Sequence, residues 1–277
     1  LTGNTFYQDI FAKQMFNYKN VFDTTVGFVR GREKDGTWIP KNFDPVEWGD
    51  PFTEGNPWQW SWSVLHDING LMGLMGGEQR FNAKLDSLFT TKNTVKYGSY
   101  GQKIHEMKEM VLQDIGQYAH GNEPDQHAAY LYNYSRQPWK SQKLLRKIMA
   151  KIYNASPSGF PGDEDQGETS SWYVLSALGL YSVCPGTDEY VIGSPVFNKI
   201  TISLENGKQF IIEANNNSSK NVYIEWAKLN NQNYNHNWIT YNDIINGGTL
   251  YLEMSDSPNM KRGVEEADKP FSVSKKN

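Results

Sequence analysis

Ser170-Ser171-Trp172-Tyr173-Val174-Leu175-Ser176-Ala177-Leu178-Gly179-Leu180-Tyr181-Ser182-Val183-Cys184-Pro185-Gly186 is the stretch on which the reading of this chain turns. From Ser170 to Tyr181 the residues predict a helix that is apolar nearly all round, and such a helix belongs in an interior. Cys184-Pro185-Gly186 then stops the helical pattern, because proline removes a backbone donor and glycine opens a turn. Beyond it the period falls to two. Lys199 to Glu205 alternates, as do Phe210-Ile211-Ile212, Tyr223 to Trp226 and Leu250 to Met254. Asn206-Gly207 and Gly247-Gly248 supply turn residues between them. This pattern predicts an antiparallel sheet of about five or six strands of ordinary length.

Upstream of the break, residues 1–182 read as helical. Phe6, Ile10, Ala12/Lys13 and Phe16 open an aromatic helix. Trp58, Trp62, Leu65, Leu71/Met72 and Met75 keep helical spacing, as do Trp139, Leu144/Leu145, Ile148/Met149 and Ile152. Shorter helices are expected over 78–90, 106–118 and 125–134. The fold class that follows is α+β: a mainly α-helical part over 1–186 and an antiparallel β region over 187–277.

Composition narrows the function. With 277 residues and 38% hydrophobic content, the chain can bury a sizeable core. Nine Trp and 16 Tyr leave rings to spare for a surface that binds sugar, although most should fill the core. A net charge of −4 without a basic run argues against nucleic acid. No apolar stretch reaches the ~18–20 residues of a membrane helix. Cys184 has no second cysteine to pair with and reads as a small buried residue.

Three carboxylate-bearing loops, each rich in Gly or Pro and each ahead of a helix, carry the chemistry. They are Thr53-Glu54-Gly55-Asn56-Pro57-Trp58-Gln59-Trp60, His120-Gly121-Asn122-Glu123-Pro124-Asp125 and Pro161-Gly162-Asp163-Glu164-Asp165-Gln166-Gly167. Asn56 followed by Pro57 and Gln59 has the form of a capping box with proline at the first helical position. Glu123-Pro124 repeats the layout, and Asp165 with Glu168 reads as a further capping box. Acids at helix starts commonly serve only the free N–H groups and the helix dipole. Glu54 fits that role least, because Asn56 already occupies the cap. If the helices form antiparallel hairpins, those that begin at the same end bring all three loops to one mouth.

Glycoside hydrolysis needs two carboxyl groups, one to protonate the leaving oxygen and one to act from the other face. Glu54 and Asp165 are the candidate pair, and which of them holds the proton depends on burial and neighbours. Asn122, Glu123 and Asp125 beside His120 and His127 supply oxygen ligands suited to Ca²⁺ or Mg²⁺, and the absence of HExxH speaks against zinc.

The chain resembles glycoside hydrolase family 92, the calcium-dependent exo-α-mannosidases. Phe52 to Gln59, Tyr118 to Pro124, Tyr130 to Tyr134, Gln137 to Lys140 and Gly162 to Gly186 carry the resemblance, which runs down to Asp268-Lys269-Pro270-Phe271-Ser272. The resemblance implies part of an (α/α)₆ toroid and an inverting release of terminal mannose, expected to be α-1,2-linked, from glycans with the help of Ca²⁺. It makes Glu54 the acid, Asp165 and Asp163 the base candidates, and Trp58, Gln59, His120, Asn122 and Glu123 substrate contacts. It also implies Asn122 and Glu123 as the metal-site residues. Where the family often carries His-His after Glu-Pro, this chain has Gln126-His127. Family members are longer, so the chain is expected to be the C-terminal part of such an enzyme. That part would pack on an N-terminal β-sandwich and be secreted, periplasmic or displayed at the cell surface. Two competing readings are a glucoamylase- or trehalase-like toroid hydrolase and a non-catalytic glycan-binding fragment.

Overall fold

The computed structural model describes residues 5–274. The chain opens with α1 (Thr5–Gln14), which forms as the periodicity requires but contributes no buried side chain. Phe6 and Phe11 are 67% and 60% exposed. After α2 (Tyr18–Val21) come two small antiparallel pairs where helix was expected. These are β1 (Phe22–Asp23) with β2 (Phe28–Val29), and β3 (Gly31–Arg32) with β4 (Trp38–Ile39). Gly27 and Gly36, both in the left-handed region, allow the chain to reverse within each pair.

The apolar stretch from Trp58 to Met75 is two helices, α3 (Pro57–Trp60) and α4 (Ile68–Leu74), not one. Asp67 causes the division: its Oδ1 accepts the Gly70 N–H at 3.0 Å and starts a new helix. Next come α5 (Glu78–Thr90), α6 (His105–Gln113) and α7 (Pro138–Ile152). The segment Glu123–Tyr134 winds as a 3₁₀ helix, with every residue from Asp125 to Tyr134 buried. α8 (Glu168–Leu178) is less enclosed than its composition suggests. It buries Thr169, Trp172, Ser176 and Ala177, whereas Val174 is 55% exposed. One apolar cluster joins these helices except α6, with Trp62, Ile68, Leu71, Phe81, Leu85, Tyr130, Leu145, Ile148 and Trp172 among its members, while Met107 and Met110 of α6 pack in a separate cluster with Trp48.

Gly179, with φ +87°, ends α8 and turns the chain into β5 (Leu180–Tyr181). β5 joins β6 (Glu189–Ile192) and β11 (Trp238–Thr240) in a three-stranded sheet. The larger sheet holds β7 (Lys199–Ser203), β8 (Gln209–Asn215), β9 (Tyr223–Leu229), β10 (Gln232–Asn233) and β12 (Gly248–Ser255) in the order β10-β9-β12-β8-β7. β9 and β10 form a hairpin through Asn230 and Asn231, both left-handed, as a tight hairpin turn demands. The sheet is mixed, not wholly antiparallel, because β12 runs parallel to β8. Between β10 and β12 the chain leaves the sheet through β11 and α9 (Tyr241–Ile245), so β12 returns in the direction of β8. Phe210, Ile212, Ala214, Ile224, Ala227, Leu250, Leu252 and Met254 form its buried face.

The two parts are tied together on both sides of residue 186. Gln142 of α7 accepts the Ile224 N–H of β9 at 3.0 Å. Arg146 donates to the Pro195 carbonyl and to Asn217, each at 2.7 Å. The tail then crosses back to the helices, where Ser272 and Ser274 donate to Asp67 at 3.0 and 2.8 Å.

Candidate active site

The first loop is fixed from several directions. Asn56 Oδ1 accepts the Trp58 N–H at 2.8 Å while Gln59 Oε1 accepts the Asn56 N–H at 2.8 Å, completing the expected capping box. The indole of Trp60 donates to the Thr53 carbonyl at 2.9 Å, and the Glu54 N–H donates to the Tyr100 hydroxyl at 2.7 Å. These contacts hold Glu54 at φ +48°, a conformation that costs a side-chain-bearing residue energy. A Cβ on Gly55 would meet the Trp60 ring at 2.7 Å, so the tight packing here requires glycine.

Two contacts bring the three loops together. Asn122 donates its side-chain amide to the Glu54 carbonyl, joining the second loop to the first. The second and third loops meet through their backbones at Gly121 and Gly162. A Cβ on Gly162 would lie 2.3 Å from the Gly121 carbonyl oxygen. The sequence alone offered only a shared mouth for these loops; the joining residues are an amide and two glycines.

Capping in the second and third loops differs from the sequence expectation. Asn122, not Glu123, holds the N-cap position of the 3₁₀ segment, and its side chain makes no cap bond. In the third loop Glu164 does the capping work. Its carboxylate accepts the Ser170 N–H at 3.2 Å and the Ser170 hydroxyl at 2.6 Å. Asp165 and Gln166 both take left-handed backbone, φ +48° and +58°, and Gly167 follows at the N-cap of α8. The anticipated Asp165–Glu168 capping box is not formed, because the N-cap of α8 falls on Gly167, two residues beyond Asp165. Its carboxylate is not consumed in capping α8.

A cavity of about 570 Å³ lies at the junction of the first two loops and the start of α8. Its walls are Thr53, Glu54, Trp60, Ser63, Leu65, Asn122, Glu123, Pro124, His127 and Glu168. Three carboxyl groups share this space with no Lys or Arg in its wall. Glu168 feels the crowding: burial, then the charges of Glu123 and Asp165, push its carboxyl above the ordinary glutamate range. Ser63 donates to the Pro124 carbonyl at 2.9 Å and closes one rim. His127 Nε2 donates to the Trp62 carbonyl at 2.7 Å, and burial lowers its pKa to about 4. The ring is therefore neutral at neutral pH, with its proton on Nε2 and the Nδ1 lone pair unprotonated.

The remaining residues named from sequence lie away from this wall. Gln59 is fully buried and spends its side chain on the capping box and on the Gln117 carbonyl at 2.6 Å. Trp58 packs edge-on against Phe28 in the core. The indole in the cavity is Trp60, two residues on. His120 is fully buried between the Tyr118 hydroxyl and the Tyr153 hydroxyl, the latter at 2.7 Å, and burial depresses its pKa to about 3. Asp163 sits outside the cavity wall, its carboxylate 3.9 Å from His105 Nε2 and its carbonyl accepting from Thr169 at 2.8 Å. Asp165 also lies outside the wall, yet close enough for its charge to act on Glu168.

Glu168 and Trp60, like Ser63 and Leu65, are cavity residues to which sequence reasoning assigned no site role. Glu168 was assigned to a cap, and only the left-handed turn at Asp165-Gln166 releases it. Trp60 closes a four-residue helix whose end folds its ring back over the preceding loop.

The donors around the cavity are oxygens of Glu54, Glu123, Glu168 and Asn122, the hard set that alkaline-earth ions take. Among the described residues no three His, Cys, Asp or Glu side chains are already gathered as a metal cage. The donor chemistry fits a hard cation, with Asn122 and Glu123 as its nearest candidates in the second loop.

The model of the glycosyl hydrolase family 92 catalytic domain matches residues 2–256. An uncharacterized secreted glycosidase of Arthroderma benhamiae is 30% identical over 269 residues, covering 91% of this chain and 31% of that protein. Among solved structures, a family 92 inverting mannosidase from Bacteroides thetaiotaomicron superposes with a TM-score of 0.85 at 49% identity, over 96% of this chain and 36% of its own. A second, an α-mannosidase of the same bacterium, gives 0.82 at 37% identity, over 93% of this chain and 32% of its own. That second enzyme has also been solved with mannoimidazole bound. The chain thus spans about a third of the length of the relatives it matches. With the family model covering nearly all of it, and helices and sheets laid out as in these mannosidases, the chain belongs to glycosyl hydrolase family 92.

Proposed function

We propose that the protein to which this chain belongs is an inverting exo-α-mannosidase that releases terminal, α-1,2-linked mannose from glycans. The observation that carries this reading is the cavity whose wall holds Glu54, Glu123 and Glu168 together with Trp60. A pyranose offers a C–H face for an indole and hydroxyls for carboxylates and amides. Glu54 is the acid that protonates the leaving oxygen, and its backbone is immobilised by Tyr100 and Asn122. Asp165, aided or replaced by Asp163, is the base that takes a proton from water on the opposite face. Inversion places such carboxyl groups about 6.5–9.5 Å apart, leaving room for that water. Family membership and the mannosidase neighbours favour mannose over the glucosides of other toroid hydrolases.

Asn122 and Glu123 would hold Ca²⁺, which when bound supplies a fixed positive charge for the sugar hydroxyls. The helices belong to an (α/α)₆ toroid whose other members, with a β-sandwich, lie in the rest of the protein. A secreted, periplasmic or cell-surface location completes this reading, and the likeness to a fungal secreted glycosidase supports it.

The test is Glu54→Gln in the complete protein, assayed on an aryl α-mannoside and on an α-1,2-mannobioside. Loss of a general acid lowers the rate by about 10²–10⁴-fold, and the disaccharide should suffer more because its leaving group needs the proton. An unchanged rate on the disaccharide would remove Glu54 from the mechanism. NMR of the first product should show the β-anomer; an α-anomer would rule out inversion.

A further inference from the structure

In the C-terminal part of the chain, the solvent face of the five-stranded sheet carries an indole that simple alternation would have buried. Along β9, Ile224 and Ala227 both point into the core, although they are three residues apart. The reason is a bulge. Trp226 pairs with Glu253 while Ile224 pairs with Met254, so Glu225 is the extra residue. Without it, Trp226 would follow Ile224 onto the inner face; with it, Trp226 stands outside and is 41% exposed. Bulges re-aim side chains in this way and are often found beside functional surfaces.

The re-aimed ring has company suited to a ligand. Tyr251 of β12 lies 5.2 Å from it, centroid to centroid, with planes 21° apart. Lys228 Nζ sits 5.4 Å from the Trp226 ring centre. Trp226, Lys228, Tyr251, Glu213 and Asn231 border a depression of about 490 Å³. Its floor is rigid: Asn230 accepts the Thr249 N–H at 2.9 Å, and the Tyr251 hydroxyl donates to Glu253 at 3.0 Å. Asn215 holds the same carboxylate at 2.8 Å.

We infer that this depression is a second saccharide-binding site, in which a pyranose stacks on Trp226 while Glu213, Lys228 and Asn231 bond its hydroxyls. The neighbours of the ring favour a sugar over a protein partner. Charged and amide side chains surround a single aromatic pair, whereas the centre of a protein interface is depleted of charge. The site would hold a glycan chain away from the catalytic cavity and keep the enzyme on its substrate. Choosing α-mannan as the first probe rests on the proposed function; the site itself does not.

The experiment is affinity electrophoresis of the complete protein through gels containing soluble α-mannan or, separately, soluble β-glucan, with Trp226→Ala beside the unmodified protein. Retardation by one of these polymers should weaken about tenfold in the variant, while hydrolysis of a small aryl α-mannoside is unchanged. Retardation by β-glucan alone would support the site and count against mannose as its sugar. Equal retardation of both proteins, or none in either gel, overturns the inference. So does a Trp226→Ala variant that melts several degrees lower without losing retardation, since the ring would then be packing against the rest of the protein.

Discussion

The loop cluster and the β-sheet reach definite geometries by opposite means. In the sheet, backbone ladders set the register, and side chains need only alternate: in β8, Phe210, Ile212 and Ala214 are buried and the residues between them are more open. In the loop cluster, side chains do the positioning. Asn56, Gln59, Tyr100, Trp60 and Asn122 each spend a polar group on holding a backbone atom of one short segment. A regular ladder tolerates substitution at any one place, because the neighbouring rungs remain. A loop held by single contacts does not, and that dependence is what fixes carboxylates within reach of one another.

The comparison can be broken with two glycines. Gly162 and Gly207 both have left-handed backbone, with φ of +70° and +80°. Alanine at either position costs about 1–2 kcal/mol for the conformation alone. At Gly207, in the turn between β7 and β8, an added Cβ meets nothing within 4 Å. At Gly162 it meets the Gly121 carbonyl at 2.3 Å, so the third loop must move away from the second. Gly162→Ala should lose most of the hydrolytic activity of the complete protein and more stability than Gly207→Ala. Gly207→Ala should lower the melting temperature and leave kcat alone. Equal activity in the two variants would mean that the Gly121–Gly162 approach does not position the site.

The same contrast explains what could be read from sequence. The strands 199–203, 209–215 and 248–255 were visible because period two survives burial on one face, whereas in 223–229 the bulge at Glu225 interrupts it. The helices 78–90 and 138–152 were visible for the analogous reason. The direction of β12 was not, since nothing local says whether a strand returns beside its predecessor or crosses over through α9. Residues 22–39 contain aromatics at spacings that suit either element, and the turns at Gly27 and Gly36 decided the matter. At the site, Glu54, Asn122 and Glu123 stood out as carboxylate and amide beside a cap. Glu168 did not, because its freedom depends on the backbone sign at Asp165 and Gln166, which composition does not reveal.

Protonation separates the two regions further. The sheet face carries exposed pairs such as Lys199–Glu213 at 2.8 Å, with both partners well solvated, and such pairs contribute little. In the loop cluster, His120 and the cavity-wall residue His127 are buried with pKa values lowered from 6.5 to about 3 and about 4. In the unfolded chain both take up protons as pH falls through 6.5, whereas in the fold they stay neutral until far lower. Their contribution to stability is therefore complete above pH 6.5 and drains away as pH falls toward 4. Melting temperature should drop across that window. His127→Gln, which keeps a donor for the Trp62 carbonyl, should flatten the drop. A slope unchanged in the variant would assign the acid sensitivity to other groups.

Glu168 should show the smallest effect, with the opposite sign. Its carboxyl is raised above the ordinary 4.5 by burial and by the charges of Glu123 and Asp165. The folded state therefore prefers the protonated acid, while the unfolded chain ionises freely above 4.5. Stability from this group is whole below that pH and falls as pH rises through the folded-state value. Glu168→Gln removes the ionisation and keeps the shape. The variant should melt slightly higher than the parent near neutral pH, and the gap should close as the solution is acidified below 4.5. Ca²⁺ would reverse the preference at neutral pH, because a cation in the cavity favours the carboxylate. Adding Ca²⁺ should then stabilise the parent more than the glutamine variant. A variant with the same Ca²⁺ response as the parent would place the cation beyond the reach of Glu168, with Asn122 and Glu123 alone as its nearer partners.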